Sequence, residues 1–456
     1  MSKSTTTQCL FPDLFGKRLV ARFDVDHGSS DGGAVLLKAA DRRLGLVEGL
    51  TGCIVDHRDH HKVVHDVSEL LGQRIFALAC GYADCNDAAR LAADPIHKAL
   101  IGRDPIDGDD MGSQPTLSRF ENSFGPRDLY RMSAVLLDRV VRRHRTRLRG
   151  RLRQVTIDLD VTDDPTHGGQ QLSLFNGFYD TFCYLPLLGF ISFNDEPEQY
   201  LCAAMLRSGT AGCAVGAIGM LRRIIRSLRS VYPGVRIVVR LDGGFAGPAL
   251  LDFLDEQSNL GYVVGFPSNA VLLRQVTESL RRARRRAKQR YRSAREYGHR
   301  FYAAGSWKRE RRIVYKAEAV RYAGREMKDN PRFVVTNLSI IPRRVYEFYC
   351  QRGEVENRIK ELCDGMQIGR TSCSRFWANQ FRVLMTVSAY ALMQEIRLWA
   401  KRTRLARAQV DTIRIALLKL GAHVEVSVRR IVVHLPRAFP FADVWQRVAA
   451  IAARSG

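Results

Sequence analysis

With 456 residues, the chain is longer than one ordinary hydrophobic core organises, and two to four domains are expected. Its 46% hydrophobic content excludes a disordered tail, and the lack of any run of about 18 apolar residues excludes a membrane-spanning helix. There are 71 Lys and Arg against 47 Asp and Glu, a net +24 that is mostly arginine, so nucleic acid is the expected partner.

Residues 1–125 mix short helical and strand-like stretches. Helices are expected at 34–50, 61–71 and 85–100, with 74–79 helical or extended. Gly108, Gly112 and Ser113-Gln114-Pro115 interrupt the chain before 117–122. Short helices with basic residues suit DNA recognition, although no clean helix-turn-helix spacing is present. In the run 56–65, His61 and His65 lie four apart. Without an H-e-x-x-H pattern or finger-spaced cysteines, the run reads as a solvated polar helix, not a zinc site. The ten cysteines form no C-x-x-C pair, and no apolar signal segment follows Met1, so free thiols in a reducing cytoplasm are expected.

A long basic helix is expected over 126–153, with eight arginines between Arg139 and Arg153 and an apolar stripe of Val135, Leu136, Val140, Val141 and Leu148. A strand follows at 155–160, then two more within 177–193. A helix over 211–231, a strand ending at Asp242, a helix over 248–257 and a strand over 262–266 complete a mixed α/β sheet. Residues 267–331 interrupt this pattern. Arg274 to Arg300 holds eleven Arg or Lys and two acids, Glu278 and Glu296, and the stretch reads as a basic, β-rich insertion. The core resumes with a strand over 333–338, a helix over 343–362 and a long amphipathic helix over 376–402. Helix, two short strands (424–428 and 431–435) and a final helix close the chain.

Three acids stand out from this order. Asp160 ends the run Val155 to Asp160, and Asp242 ends the run Ile237 to Asp242, followed by glycines, where open α/β sheets hold ligands. Glu356 lies on a later helix, where Tyr349, Arg352, Glu356 and Lys360 share one face. Two strand-end carboxylates and one on a helix can hold a pair of divalent cations for phosphoryl transfer. Asp158 shares the face of Asp160 and reads as a supporting residue. The pair Asp24 and Asp26 is an equally good local match in a poorer context, and Asp163 and Asp164 read as turn formers before Pro165. For Asp242 the bland alternative is a helix cap, and for the Glu356 face a surface salt-bridge ladder. No P-loop or G-x-S-x-G elbow supports ATP use or serine hydrolysis.

This constellation resembles insertion-sequence DDE transposases, closest to the group whose third acid lies in a Tyr-x2-Arg-x3-Glu-x6-Lys motif. Tyr349, Arg352 and Glu356 fall at the matching places. Asp160-Val161-Thr162 matches the first-acid motif, and Arg240-Leu241-Asp242 with Gly244-Phe245-Ala246 matches the second. The motif lysine falls at Cys363, with Lys360 one turn earlier on the same face. The resemblance implies an α/β, RNase H-like mixed-sheet core in two parts (126–266 and 332–402), split by a basic insertion at 267–331. An N-terminal DNA-end-binding region (1–125) and a helical, dimerising C-terminal region (403–456) flank that core.

The resemblance also implies that Asp160, Asp242 and Glu356 are catalytic and hold two Mg²⁺, with Mn²⁺ as a substitute. Tyr349, Arg352 and Lys360 would meet DNA at the cleaved end, and Trp307 would stack a flipped base in a hairpin intermediate. Arg142, Arg143, Arg284, Arg285 and Arg286 are expected phosphate contacts. A homodimer on terminal inverted repeats, associated with the nucleoid and without a membrane, is the implied setting. Two readings compete with cut-and-paste transposition: a metal-dependent nuclease without strand transfer, and an inactive DNA-binding repressor.

Overall fold

The computed structural model describes residues 8–11, 16–17, 19–148, 150, 152–322 and 324–454. The chain forms two compact units, each assembled from separated stretches. The first comprises residues 1–42, 58–117 and 395–456, and the second residues 43–57 and 118–394.

The second unit is built on one twisted sheet. Its eight principal strands are β1 (Gln154–Val161), β2 (Leu187–Phe193), β3 (Tyr200–Met205), β4 (Arg236–Leu241), β5 (Leu260–Phe266), β6 (Ala294–Tyr302), β7 (Arg311–Val320) and β8 (Arg332–Thr336). Their spatial order is β6-β7-β8-β5-β4-β1-β2-β3. Strand β4 runs parallel to β1 and β5, and the remaining neighbours are antiparallel. Strand β3 was not expected from the sequence. Its run Leu201 to Met205 is rich in alanine, which favours helix and masks the strand pattern.

Helix α1 (Pro126–Leu148) buries Leu129, Met132, Leu136, Val140, Val141 and Leu148 at helical spacing and exposes Arg142 and Arg145. Of the expected basic lead-in, Arg149 and Arg151 lie outside the described residues. Helix α2 (Ala217–Val231) begins later than expected. The loop before it is held by Arg207, whose Nη1 donates to the carbonyls of Gly212, Cys213 and Val215, each at 3.0 Å. After α3 (Pro248–Asp255), residues 267–331 divide between helix and strand. Helices Ala270–Gln275 and α4 (Thr277–Arg290) precede the β6–β7 hairpin, and that hairpin joins the central sheet through β8.

The single helix expected over 343–362 is two, α5 (Pro342–Cys350) and α6 (Gly353–Asp364), with a turn at Gln351 and Arg352. Gly353, a poor helix former, starts α6 and explains the interruption. Val345, Phe348 and Tyr349 pack against Val263, Val314 and Val334, so α5 lies on the sheet and brings its C-terminal end to the central strands β4 and β5.

In the first unit, a capping box between Asp66 and Glu69 starts the helix Val67–Ala79, so the expected helix over 61–71 begins six residues late. Residues 56–65 form a loop with a single 3₁₀ turn at His60–Lys62, not the polar helix expected. The C-terminal strands Ala422–Ser427 and Arg430–His434 pair with each other, and the first also pairs with Gly28–Ser29. Gly33 lies against the carbonyl of Leu417, where a Cβ would sit 1.8 Å from the oxygen. Residues 28–33 and 417–423 therefore meet through a glycine that no side chain can replace.

Strand β1 is buried along almost its whole length, polar positions included. Its buried Asp158 is held in an internal ion pair. Arg240 on β4 donates from Nε and Nη2 to both oxygens of Asp158 at 2.7 and 2.9 Å, and from Nη1 to the carbonyl of Phe348 at 2.8 Å. One guanidinium thus ties β1, β4 and α5 together. Replacing Asp158 by Ala strands this buried cation and should destabilise the protein by about 3–5 kcal/mol. Replacing both partners with apolar residues should recover much of that loss; denaturant titration of the single and double variants measures both effects.

Candidate active site

Arg240 pairs in register with Asp158 across β4 and β1. Two residues further along these parallel strands, side chains return to the same face, which brings Asp160 and Asp242 level on neighbouring strands. Asp160 is buried at the end of β1, and its Oδ1 accepts from the Val161 N–H at 2.9 Å. Asp242 caps the turn after β4, its Oδ1 accepting from the Gly244 N–H at 2.8 Å. Its role as a cap therefore uses one oxygen and leaves the other free for a second partner.

That second partner is Arg352, in the turn between α5 and α6. Its Nη2 lies 3.3 Å from Oδ2 of Asp160 and 3.3 Å from Oδ2 of Asp242, and its Nη1 lies 3.2 Å from Oε1 of Glu356. All three sequence-expected acids thus converge on one guanidinium. Their exposure rises outward: the side chains of Asp160, Asp242 and Glu356 are 9%, 34% and 66% exposed. Burial pushes the Asp160 carboxyl up to about 6; Arg352 pulls it down, and the nearby charges of Asp242 and Glu356 push it up again. The site is short of positive charge by the measure of its own carboxylates.

Tyr349 lies half-buried beside this group. Burial raises its phenol, Arg352 lowers it and Asp242 raises it. Its hydroxyl rests over Gly265, where a Cβ would stand 2.6 Å from the tyrosine oxygen and 2.7 Å from the backbone nitrogen of Gly243. Lys360 is exposed one turn beyond Glu356, with no hydrogen bond or ion pair among the described residues. Cys363, at the place of the motif lysine, faces Thr162, with Sγ and Oγ1 4.0 Å apart, and both line a groove with Asp163, Gln367 and Arg370.

Other expected residues lie elsewhere in the unit. Trp307 is half-buried, its ring edge-on to Phe266 and Tyr302 with the Arg311 guanidinium 4.9 Å from its centroid. On α4, Arg284 is paired with Asp329 and Arg286 with Glu296, whereas Arg285 is exposed with no partner among the described residues. On α1, Arg142 is bound by Asp138 at 2.8 and 2.7 Å, and Arg143 is half-buried. Asp164, expected as a turn former, is instead buried and accepts from Thr371 Oγ1 at 2.8 Å, with burial raising its carboxyl to about 7. In the first unit, Asp24 and Asp26 lie in an exposed loop.

The acids around Arg352 supply only carboxylate oxygen, a hard donor set that fits Mg²⁺ or Mn²⁺. Among the described residues, only Asp31, Cys80 and His97 bring three possible ligand atoms within 4.8 Å of one another. No spacing in the sequence announces that cluster, which is in the first unit. Asp31 Oδ2 lies 2.9 Å from His97 Nε2, and Oδ1 lies 2.7 Å from Lys419 Nζ. Burial pushes Asp31 up, but His97 and Lys419 outweigh it and hold the carboxyl below its ordinary value. Lys419 already neutralises the acid, so the cluster is an ion-paired clasp joining three separated stretches of that unit.

An acid cluster on an α/β unit in a strongly basic chain suits chemistry on nucleic-acid phosphates. Over residues 11–455 the chain matches the family model described as transposase DDE domain group 1, and it belongs to that family of DDE transposases, whose partner is DNA. A comparison with curated proteins found no match. No helix among the described residues is long and apolar enough to cross a membrane.

Two outcomes test this geometry. With its pKa raised to about 6, ionised Asp160 costs stability above that pH, and the cost fades as pH falls toward the ordinary carboxylate value. Asp160→Asn should therefore raise the melting temperature of the metal-free protein by a few degrees at neutral pH, with the gain vanishing near pH ~4, as calorimetry in chelator would record. Gly265→Ala should push Tyr349 and the Gly243 turn apart and reduce DNA cleavage by about 100-fold while circular dichroism stays unchanged.

Proposed function

We propose that the protein carries out metal-dependent cut-and-paste transposition, cutting DNA at the ends of an insertion sequence and joining the freed 3′ ends to a target. The observation that carries this reading is the convergence of Asp160, Asp242 and Glu356, from three separated stretches, on the Arg352 guanidinium. The strand order β3-β2-β1-β4-β5, an antiparallel meander followed by parallel strands, supports an RNase H-like core. Asp160, Asp242 and Glu356 would hold two Mg²⁺ or Mn²⁺, which supply an activated attacking oxygen and a stabilised leaving oxygen.

The chain's own residues bind and orient DNA around that centre. Arg352 offers a planar fork suited to a phosphate beside the scissile bond, and Tyr349 packs next to it. Lys360 and Arg285 are exposed cations available to the flanking backbone. Arg142, Arg143, Arg284 and Arg286 add to the field, and those that now pair with acids would exchange them for phosphates. Recognition of terminal inverted repeats, a homodimeric complex of two ends, a hairpin intermediate with Trp307 near the flipped base, and residence on the nucleoid complete the proposal. These last features rest on the resemblance in the motifs and on the net charge of +24.

The decisive experiment is cleavage of a labelled transposon-end duplex in Mg²⁺ by the wild type and Glu356→Gln. Wild-type cleavage leaving a 3′-OH or a hairpin, reduced at least 1,000-fold in the variant, is expected. Cleavage that survives the substitution would remove Glu356 from the site, and Glu354 or Glu361 would then be tested.

A further inference from the structure

The side chain that gathers the three acids is itself a cation. Arg352 Nη2 and Nη1 face Oδ2 of Asp160, Oδ2 of Asp242 and Oε1 of Glu356 at 3.2–3.3 Å. These are oxygens that a divalent ion would also need. A hard cation binds carboxylate oxygen at about 2.0–2.1 Å and brings two positive charges with it. The guanidinium does not deprotonate to make room, and its side chain is only 14% exposed, so water screens it poorly. Guanidinium and metal therefore compete for the same ligands. In addition, Nε of Arg352 is buried without a hydrogen-bond partner among the described residues. One donor of the fork is left over, although its neighbours are occupied.

We infer that Arg352 is an exchangeable counter-ion, holding the acids together and opposing metal in the DNA-free protein, and yielding them to metal when a DNA phosphate takes the guanidinium. This rests on the acid-triad reading above and deepens it. A phosphate matches the fork better than three separate carboxylates, because it presents paired oxygens on one group. Since the exchange runs through one side chain, DNA raises the affinity for metal by the same factor as metal raises the affinity for DNA. Arg352 is thus a positioning residue whose occupancy decides when the acids are available. Free protein holds metal weakly, and a metal-loaded centre forms only where DNA is already bound.

The test is calorimetric titration of Mn²⁺ into the full chain without DNA, for the wild type, Arg352→Gln, Arg352→Lys and Asp160→Asn. Arg352→Gln should bind Mn²⁺ at least tenfold more tightly than the wild type. Arg352→Lys, which keeps the charge but cannot bridge three carboxylates, should fall between them and guards against a misfolded glutamine variant. A short mixed-sequence DNA duplex at low salt should then raise the affinity of the wild type and leave that of Arg352→Gln unmoved. Equal Mn²⁺ affinity in the wild type and both arginine variants, with binding lost in Asp160→Asn, would overturn the inference while leaving the acid site standing. A rise with DNA of equal size in wild type and Arg352→Gln, or in neither, would also overturn it. Absence of any Mn²⁺ binding that depends on Asp160 would remove the acid-site reading, and this inference with it.

Discussion

Like charges gathered at one end of a sheet repel each other, and much of this unit is arranged to contain that repulsion. Asp160 and Asp242 are brought level by a parallel register that cannot slip without moving a buried ion pair. Glu356 arrives on a separate helix whose direction is set by the packing of Val345, Phe348 and Tyr349 on the sheet. The cost appears at Asp160, the most enclosed of the three, whose carboxyl is raised by burial more than Arg352 can compensate. A single guanidinium in front of three acids is enough to hold them but not to neutralise them.

The parts of this arrangement that were legible in the sequence are those with a local pattern. Strand β1 and strand β4 announce themselves as apolar runs that end in an acid, and the helical spacing of Tyr349, Arg352 and Glu356 marks them as neighbours even though the structure breaks that helix at residues 351–352. What was not legible depends on partners distant in the chain. Nothing in Asp158 marks it as the mate of Arg240, 82 positions away. Asp164 looks like a turn former because it precedes proline, yet it is buried against Thr371, 207 positions away. The clasp of Asp31, His97 and Lys419 has no spacing that could reveal it, since it exists only because the two ends of the chain fold into one unit.

Charge was the coarsest guide. A basic composition reads as a set of hands for phosphate, but an arginine already held by an acid offers less than its formal charge suggests. On α4 the neighbouring residues Arg284, Arg285 and Arg286 differ in this respect, two being paired and the middle one having no partner among the described residues. Arg142 is likewise satisfied within its own helix by Asp138. Exposed pairs of this kind are weak and exchange readily, so they leave the field of the whole chain intact while lowering the contribution of any single residue.

The hairpin of residues 294–320 has a consequence for how this protein tolerates editing. Its second strand is zipped along β8 in five consecutive register pairs, from Arg312 with Thr336 to Lys316 with Arg332. Strand β8 contributes Phe333, Val334 and Val335, all buried, between β7 and β5. The stretch between the second and third acids is therefore not a detachable module hung on a finished core. Excising it would turn a row of satisfied backbone groups and apolar side chains into a bare, adhesive border. Such a border pairs with the next molecule, and the shortened chain would be lost to insolubility before its chemistry could be asked about.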